Sequence, residues 1–226
     1  MPSRSSRPRR TALSAMSVAA ACLAAAGCSS EGGGDWINMY KIARNYWNGS
    51  NEHVSLERAA SIPYATLGVR IGDGPEQILI LASDSDEQQL WTASGRLALT
   101  TRYGRIVATS GLGTDLANRT NDRASEDWTV AHHFTWTADI PSLNVFSVPV
   151  ACTDQPAGPD PIEILGKRFE TTRIEEQCSA ETLGWSFVNT YWVNPLSGIV
   201  WRSIQHVSPQ APVLELEILR PPASFG

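Results

Sequence analysis

Histidine and cysteine are the side chains best suited to nucleophilic or metal chemistry. The 226-residue chain has four of each: His53, His132, His133 and His206, and Cys22, Cys28, Cys152 and Cys178. No HExxH, HxH or HxxxH pair sets two imidazoles on one face of a helix or strand. His132 and His133 are adjacent, so in a strand they point to opposite faces and cannot share an ion. His132 alternates with Phe134 and Trp136, which predicts a hydrogen-bonded core histidine. There is no GxSxG for a nucleophile elbow and no CxxC. Neither Cys152 nor Cys178 has a histidine within ten residues, so the pair reads as a disulfide in an oxidising compartment, with free buried thiols as the alternative. Such a bond would close a loop whose entropy is worth roughly 3–4 kcal/mol. Asp84, Asp86 and Glu87 read as an acidic hairpin tip rather than a calcium loop, whose oxygens are more regularly spaced. Residues 111–116 (GLGTDL) hold half a dinucleotide motif but lack its third glycine, and turn geometry explains them better. A carboxylate pair for glycoside cleavage cannot be picked from 23 acids by sequence.

Cys22 and Cys28 lie in a segment that reads as an address. Residues 1–10 carry Arg4, Arg7, Arg9 and Arg10 with no acid, and residues 11–27 are uncharged and alanine-rich. A basic region, an apolar region and a small-residue processing site make up a secretory signal. Ala25-Ala26-Gly27-Cys28 resembles a bacterial lipobox, with Cys28 as the lipid-attachment residue. Ala25 stands where such boxes usually have leucine, Ala19-Ala20-Ala21-Cys22 is a weaker competitor, and plain secretion is the bland alternative. Arg9-Arg10 matches a twin-arginine signal poorly. The expected organisation is a signal peptide over 1–27, a flexible tether over 28–34 (CSSEGGG), and one β-rich domain over 35–226. Ser29 after the modified cysteine suits a lipoprotein sent to the outer membrane of a Gram-negative cell, its domain facing the periplasm. No cofactor is expected beyond the covalent diacylglycerol and N-acyl chain at Cys28.

The elements that must position these residues follow from pattern and charge. Lys+Arg 18 against Asp+Glu 23 gives −5, and removing the four leading arginines leaves −9, the wrong sign for a nucleic-acid partner. Residues 35–48 have the spacing of a short amphipathic helix, and a helical turn is expected over 55–60. Beyond Ile62-Pro63 the period becomes two. A buried-looking strand spans 77–82, and a meander over 88–110 turns at Ser94-Gly95 and Tyr103-Gly104. Residues 167–176 are extended but polar on both faces, which predicts an edge or a protruding hairpin. Three strands close the chain at 185–193, 199–207 and 213–219. In the last, Leu214, Leu216 and Ile218 face away from Glu215 and Glu217. Residues 152–161 (CTDQPAGPDP) form the one proline-rich break. Without long helices between strands a parallel sheet is excluded, and a mainly β, curled antiparallel sheet or open barrel is expected, with one or two short N-terminal helices. Four of the eight tryptophans (Trp136, Trp185, Trp192 and Trp201) fall in alternating strands, where core packing is their expected role.

Longer runs carry a resemblance. Residues 62–70 (IPYATLGVR) followed by Gly72-Asp73-Gly74-Pro75, then 90–93 (LWTA) and 97–116 (LALTTRYGRIVATSGLGTDL), are similar to the YjbF/GfcB family of bacterial lipoproteins. Residues 191–195 (YWVNP), Gly198, Val200-Trp201-Arg202-Ser203 and Gln205 extend the likeness to the C-terminus, while 117–160 match poorly. The family commonly has Asn-Gly where this chain has Tyr103-Gly104. The resemblance implies an outer-membrane lipoprotein of group 4 capsule and exopolysaccharide systems, non-enzymatic, with polysaccharide and export or assembly proteins as partners. It offers no catalytic residue. Arg102 and Arg105 fit turns and β-pairing there, or an exposed pair that meets an acidic glycan or a partner protein. Two other classes stay open: a carrier of lipid or lipid-linked glycan with an apolar cavity lined by residues such as Trp136 and Trp201, and a polysaccharide-modifying enzyme with paired carboxylates in an aromatic groove.

Overall fold

The computed structural model describes residues 53–85, 88–93, 97–120 and 127–225. The expected helix over 35–48, Cys28 with its tether, and the Ser94-Gly95 turn lie outside them. The chain enters through a one-turn helix α1 (Leu56–Ala60), capped by Ser55, whose Oγ accepts from the Arg58 amide at 3.3 Å. Fourteen strands follow among the described residues. The first group is β1 (Thr66–Ile71), β2 (Gln77–Asp84), β3 (Gln88–Thr92), β4 (Ala98–Arg102) and β5 (Arg105–Ser110). The second is β6 (Asn118–Thr120), β7 (His132–Ile140), β8 (Val145–Pro159), β9 (Ile162–Ile164) and β10 (Lys167–Phe169). The third is β11 (Thr172–Ala180), β12 (Trp185–Val193), β13 (Val200–Gln205) and β14 (Leu214–Arg220).

Twelve of these form one antiparallel sheet in the order β5-β4-β3-β2-β1-β14-β13-β12-β11-β8-β7-β6, and β9 and β10 make a separate hairpin. The sheet curls until its two ends nearly meet: the Thr109 amide after the β5 bulge donates to the Leu116 carbonyl just before β6 at 2.8 Å. The fold is therefore mainly β, a twelve-stranded antiparallel sheet almost closed into a barrel. Its core faces inward from every long strand, with Val69, Leu79, Leu99, Ile140, Val150 and Leu214 fully enclosed. Closure covers the edge strand β5 on both faces, since Arg105, Ile106 and Val107 are all buried. Gln205 supplies the ladder bonds that β5 lacks. Its Oε1 accepts from the Ile106 amide and its Nε2 donates to the Gly104 carbonyl, each at 2.9 Å.

Two expectations need correcting. Residues 172–176 are neither an edge nor part of a protruding hairpin, because β11 runs through the interior of the sheet between β8 and β12. Only 167–169 belong to a hairpin, β9–β10. The proline-rich stretch over 152–161 is mostly strand β8. It tolerates Pro156 and Pro159 because β7 begins at His132, opposite Asp154. Among the described residues, 155–159 therefore have only β11 as a strand partner, and a missing amide on the far side costs no ladder bond. The Tyr103-Gly104 turn is as expected. Both residues have positive φ (48° and 80°), which matches a tight type I′ hairpin. A Cβ on Gly104 would also strike the Val200 side chain.

Candidate functional site

The register of the sheet lines up inward side chains in rows. Phe134, Cys152, Cys178 and Phe187 occupy one row across β7, β8, β11 and β12, and Cys152 and Cys178 are joined as a disulfide. The next row is polar: His132, Asp154, Glu176 and Asn189. Two carboxylates thus stand directly opposite one another on neighbouring strands and face the interior, an arrangement that is destabilising unless a cation intervenes.

Arg105 is that cation. It reaches over from β5, donating from Nε to Glu176 Oε2 at 2.9 Å and from Nη2 to Asp154 Oδ2 at 3.0 Å. Its guanidinium lies 3.7 Å from the ring centre of Trp128, which covers it like a lid. The second oxygen of Glu176 accepts from Asn189 Nδ2 at 2.9 Å and from the Tyr191 hydroxyl at 3.1 Å. Burial alone would raise the Glu176 pKa. Arg105 and Arg119, with these hydrogen bonds, outweigh it and hold the carboxyl below its ordinary value. Asp154 has fewer compensating partners, and burial beside Glu176 leaves it raised despite Arg105. Arg119, also buried, lies 4.5 Å from the Trp136 ring centre.

Of the two readings of Arg102 and Arg105, turn and β-pairing or an exposed pair, the second fails at Arg105. The two are direct register partners flanking the turn, but Arg105 is 2% exposed, because the closing sheet turns its face inward; Arg102 stays half-buried at the hairpin end. Asp154, Glu176, Asn189 and Trp128 were missed by sequence reasoning altogether. The legible signal was one polar residue interrupting each apolar alternation, at a level that the two cysteines fix.

Beside this cluster, one end of the sheet opens into a cleft of about 510 Å³ that reaches Trp128. Its β3–β4 side is polar. Trp91 Nε1 donates to Thr101 Oγ1 at 3.0 Å, Thr101 donates to Gln89 Oε1 at 3.5 Å, and Gln89 Nε2 donates to Asp84 at the rim at 3.1 Å. The opposite side, from β1, β14 and β13, presents Leu67, Leu216, Ile218 and Trp201. Trp136 lies elsewhere, packed in the core at 2% exposure, so the two tryptophans named for a shared apolar cavity do not line one.

The remaining sequence candidates take structural places. His132 is half-buried at the end of the polar row, while His133 faces outward and bonds Thr153 Oγ1 at 2.8 Å. The 111–116 loop folds around Asp115, which accepts from the Gly111 and Leu112 amides. Asp84 accepts from Gln89, and Asp86 and Glu87 lie outside the described residues. His206 is half-buried, its amide donating to Asn189 Oδ1 at 2.8 Å, and burial lowers its pKa from the ordinary 6.5. A depressed histidine favours the folded state while neutral, and that contribution is lost as pH falls below about 6.5. The melting temperature should therefore decline between pH 7 and pH 5, and His206→Gln should flatten that decline. Parallel thermal melts of the two proteins check this, and identical slopes would refute it.

Residues 37–219 match the family model described as group 4 capsule polysaccharide lipoprotein GfcB, YjbF. The chain belongs to the YjbF family. Among YjbF-family relatives, the lipoprotein GfcB of Escherichia coli K12 is 25% identical over 174 residues, covering 74% of this chain and 81% of GfcB. The lipoprotein YjbF of the same strain is 24% identical over 141 residues, covering 59% of this chain and 65% of YjbF. The crystal structure of the hypothetical lipoprotein YmcC from E. coli superposes with a TM-score of 0.68 at 20% identity. It covers 86% of this chain and 99% of that one, a likeness of fold. Membership of the YjbF family makes this chain a lipoprotein of the capsule-associated kind.

Proposed function

We propose that this chain is an outer-membrane lipoprotein, anchored by acyl chains on Cys28 with its β domain in the periplasm, and that it acts as a non-enzymatic accessory factor in capsule or exopolysaccharide export or assembly. Family membership supports the capsule connection. The observation that carries the non-enzymatic part is the state of the facing carboxylates. Asp154 and Glu176 are the inward pair that a glycosidase reading would choose, yet both are under 2% exposed and both are held by one guanidinium. A general acid and a nucleophile must touch substrate, and these touch Arg105. The carrier reading gains little, because the row of Arg105, Glu176 and Tyr191 occupies the interior where an acyl chain would lie.

Deletion of the gene should reduce surface polysaccharide while leaving its cytoplasmic precursors at normal levels. Complementation with a Cys28→Ala form should fail although the protein accumulates. Surface polysaccharide unchanged by the deletion would overturn the proposal, as would full complementation by the unlipidated form.

A further inference from the structure

We infer that the cleft between the β3–β4 hairpin and β13–β14 is a binding subsite for a neutral stretch of saccharide, a few sugar rings of the polymer itself. This rests on the accessory reading above and adds the ligand and its place. A pyranose has an apolar face of C–H groups and an edge of hydroxyls that both donate and accept. The cleft is divided in the same way. Leu67, Leu216, Ile218 and the indole of Trp201 form one side. The chain of bonds from Trp91 through Thr101 and Gln89 to Asp84 forms the other: its inner members are nearly enclosed, and the exposed Asp84 carboxylate is the group it presents at the rim. Phe169 from the β9–β10 hairpin lies 4.1 Å from the Trp201 ring, centre to centre, and fixes the indole in place as a platform. At about 510 Å³ the cleft falls within the usual range for small-ligand sites.

The same lining argues against other occupants. An acyl chain would match only the apolar side and bring hydrocarbon against the exposed Asp84 carboxylate at the rim. An anionic sugar or a lipid phosphate would need a cation. Arg202 borders the cleft, but it shares a face of the sheet with Glu217, opposite to Ser203 and Leu216, and its guanidinium is held there by Glu217 and by the Glu163 carbonyl, while Asp84 stands at the rim. Neutral hydroxyls meet neither obstacle.

The test uses the full lipidated protein in nanodiscs and oligosaccharides made by partial acid hydrolysis of the producing cell's own exopolysaccharide. These are separated into neutral and acidic fractions and titrated by tryptophan fluorescence with saturation-transfer NMR. The neutral fraction should bind. Gln89→Met should weaken binding at least tenfold, and the rim change Asp84→Asn, which keeps an oxygen acceptor for Gln89, should weaken it at least threefold with the melting temperature nearly unchanged. Binding confined to the acidic fraction, binding indifferent to both substitutions, or displacement of the sugar by oleate would each overturn the inference. Failure to bind any fraction, in a cell whose deletion mutant still loses surface polysaccharide, would remove the cleft and leave the accessory role intact. Retained polysaccharide in the deletion mutant would remove the role itself.

Discussion

Arg105→Ala is expected to lower the melting temperature by about 6–20 °C, the equivalent of about 3–5 kcal/mol for breaking a buried ion network. The loss is large because the substitution strands charge rather than merely deleting a contact. Asp154 and Glu176 face each other across β8 and β11, both buried, and Arg105 is the cation that donates to both. Without it their folded-state pKa values must rise. A group whose pKa is raised on folding gives stability that is present at low pH and lost as pH climbs through the folded value. The variant should therefore be more stable near pH 5 than near pH 7, the opposite of the decline assigned to His206. Adding Asp154→Asn and Glu176→Gln to Arg105→Ala should recover most of the loss, since neutral amides can stand opposite one another. Such recovery is a non-additivity that a simple packing defect would not produce. Urea titrations of the single and triple variants decide it. A triple variant less stable than Arg105→Ala would show that Arg105 acts through packing on Trp128 instead.

Much of this architecture was legible because the chain obeys period two where one face is buried. The strand over 185–193 was read at its observed limits, and 213–219 within one residue, since Leu214, Leu216 and Ile218 alternate with glutamates. The Tyr103-Gly104 turn was legible from its glycine. What failed, failed for one physical reason. Residues 167–176 read as an edge or protruding hairpin because they are polar on both faces, and for Arg105 an exposed place stood open beside turn and β-pairing. Local pattern cannot show that an inward glutamate and an inward arginine 71 positions apart neutralise one another. Two clues were nonetheless in the chain. With Cys152 paired to Cys178, antiparallel register alone sets Asp154 opposite Glu176, since each lies two residues from its cysteine on the same face. A pair of facing carboxylates then demands an inward cation. The cleft was less accessible to such reasoning, because its two sides come from strands far apart in the sequence.

Replacing both Cys152 and Cys178 by alanine is expected to cost about 3–4 kcal/mol, a fall of about 6–16 °C in melting temperature, with the folded structure nearly unchanged. The second half of that statement follows from where the bond lies. β8 and β11 are already paired from Thr172 and Pro159 to Ser179 and Ala151, so the disulfide adds no contact between strands that the ladder does not make. Its main effect is on the unfolded chain, which it holds in a loop containing the whole β9–β10 hairpin. Removing the bond should therefore raise the urea m-value, because the freed chain exposes more surface on unfolding, while far-ultraviolet dichroism of the native state stays the same. A second, smaller effect is local: Trp136 Nε1 donates to Cys152 Sγ at 3.3 Å and loses that acceptor. Cys152→Ala/Cys178→Ala with an unchanged midpoint and m-value would refute the unfolded-state account. A lowered midpoint with altered native dichroism would instead show that the disulfide enforces the register of the two strands. In that case the same variant would also misalign Asp154 and Glu176, and the penalty for Arg105→Ala would shrink in its background.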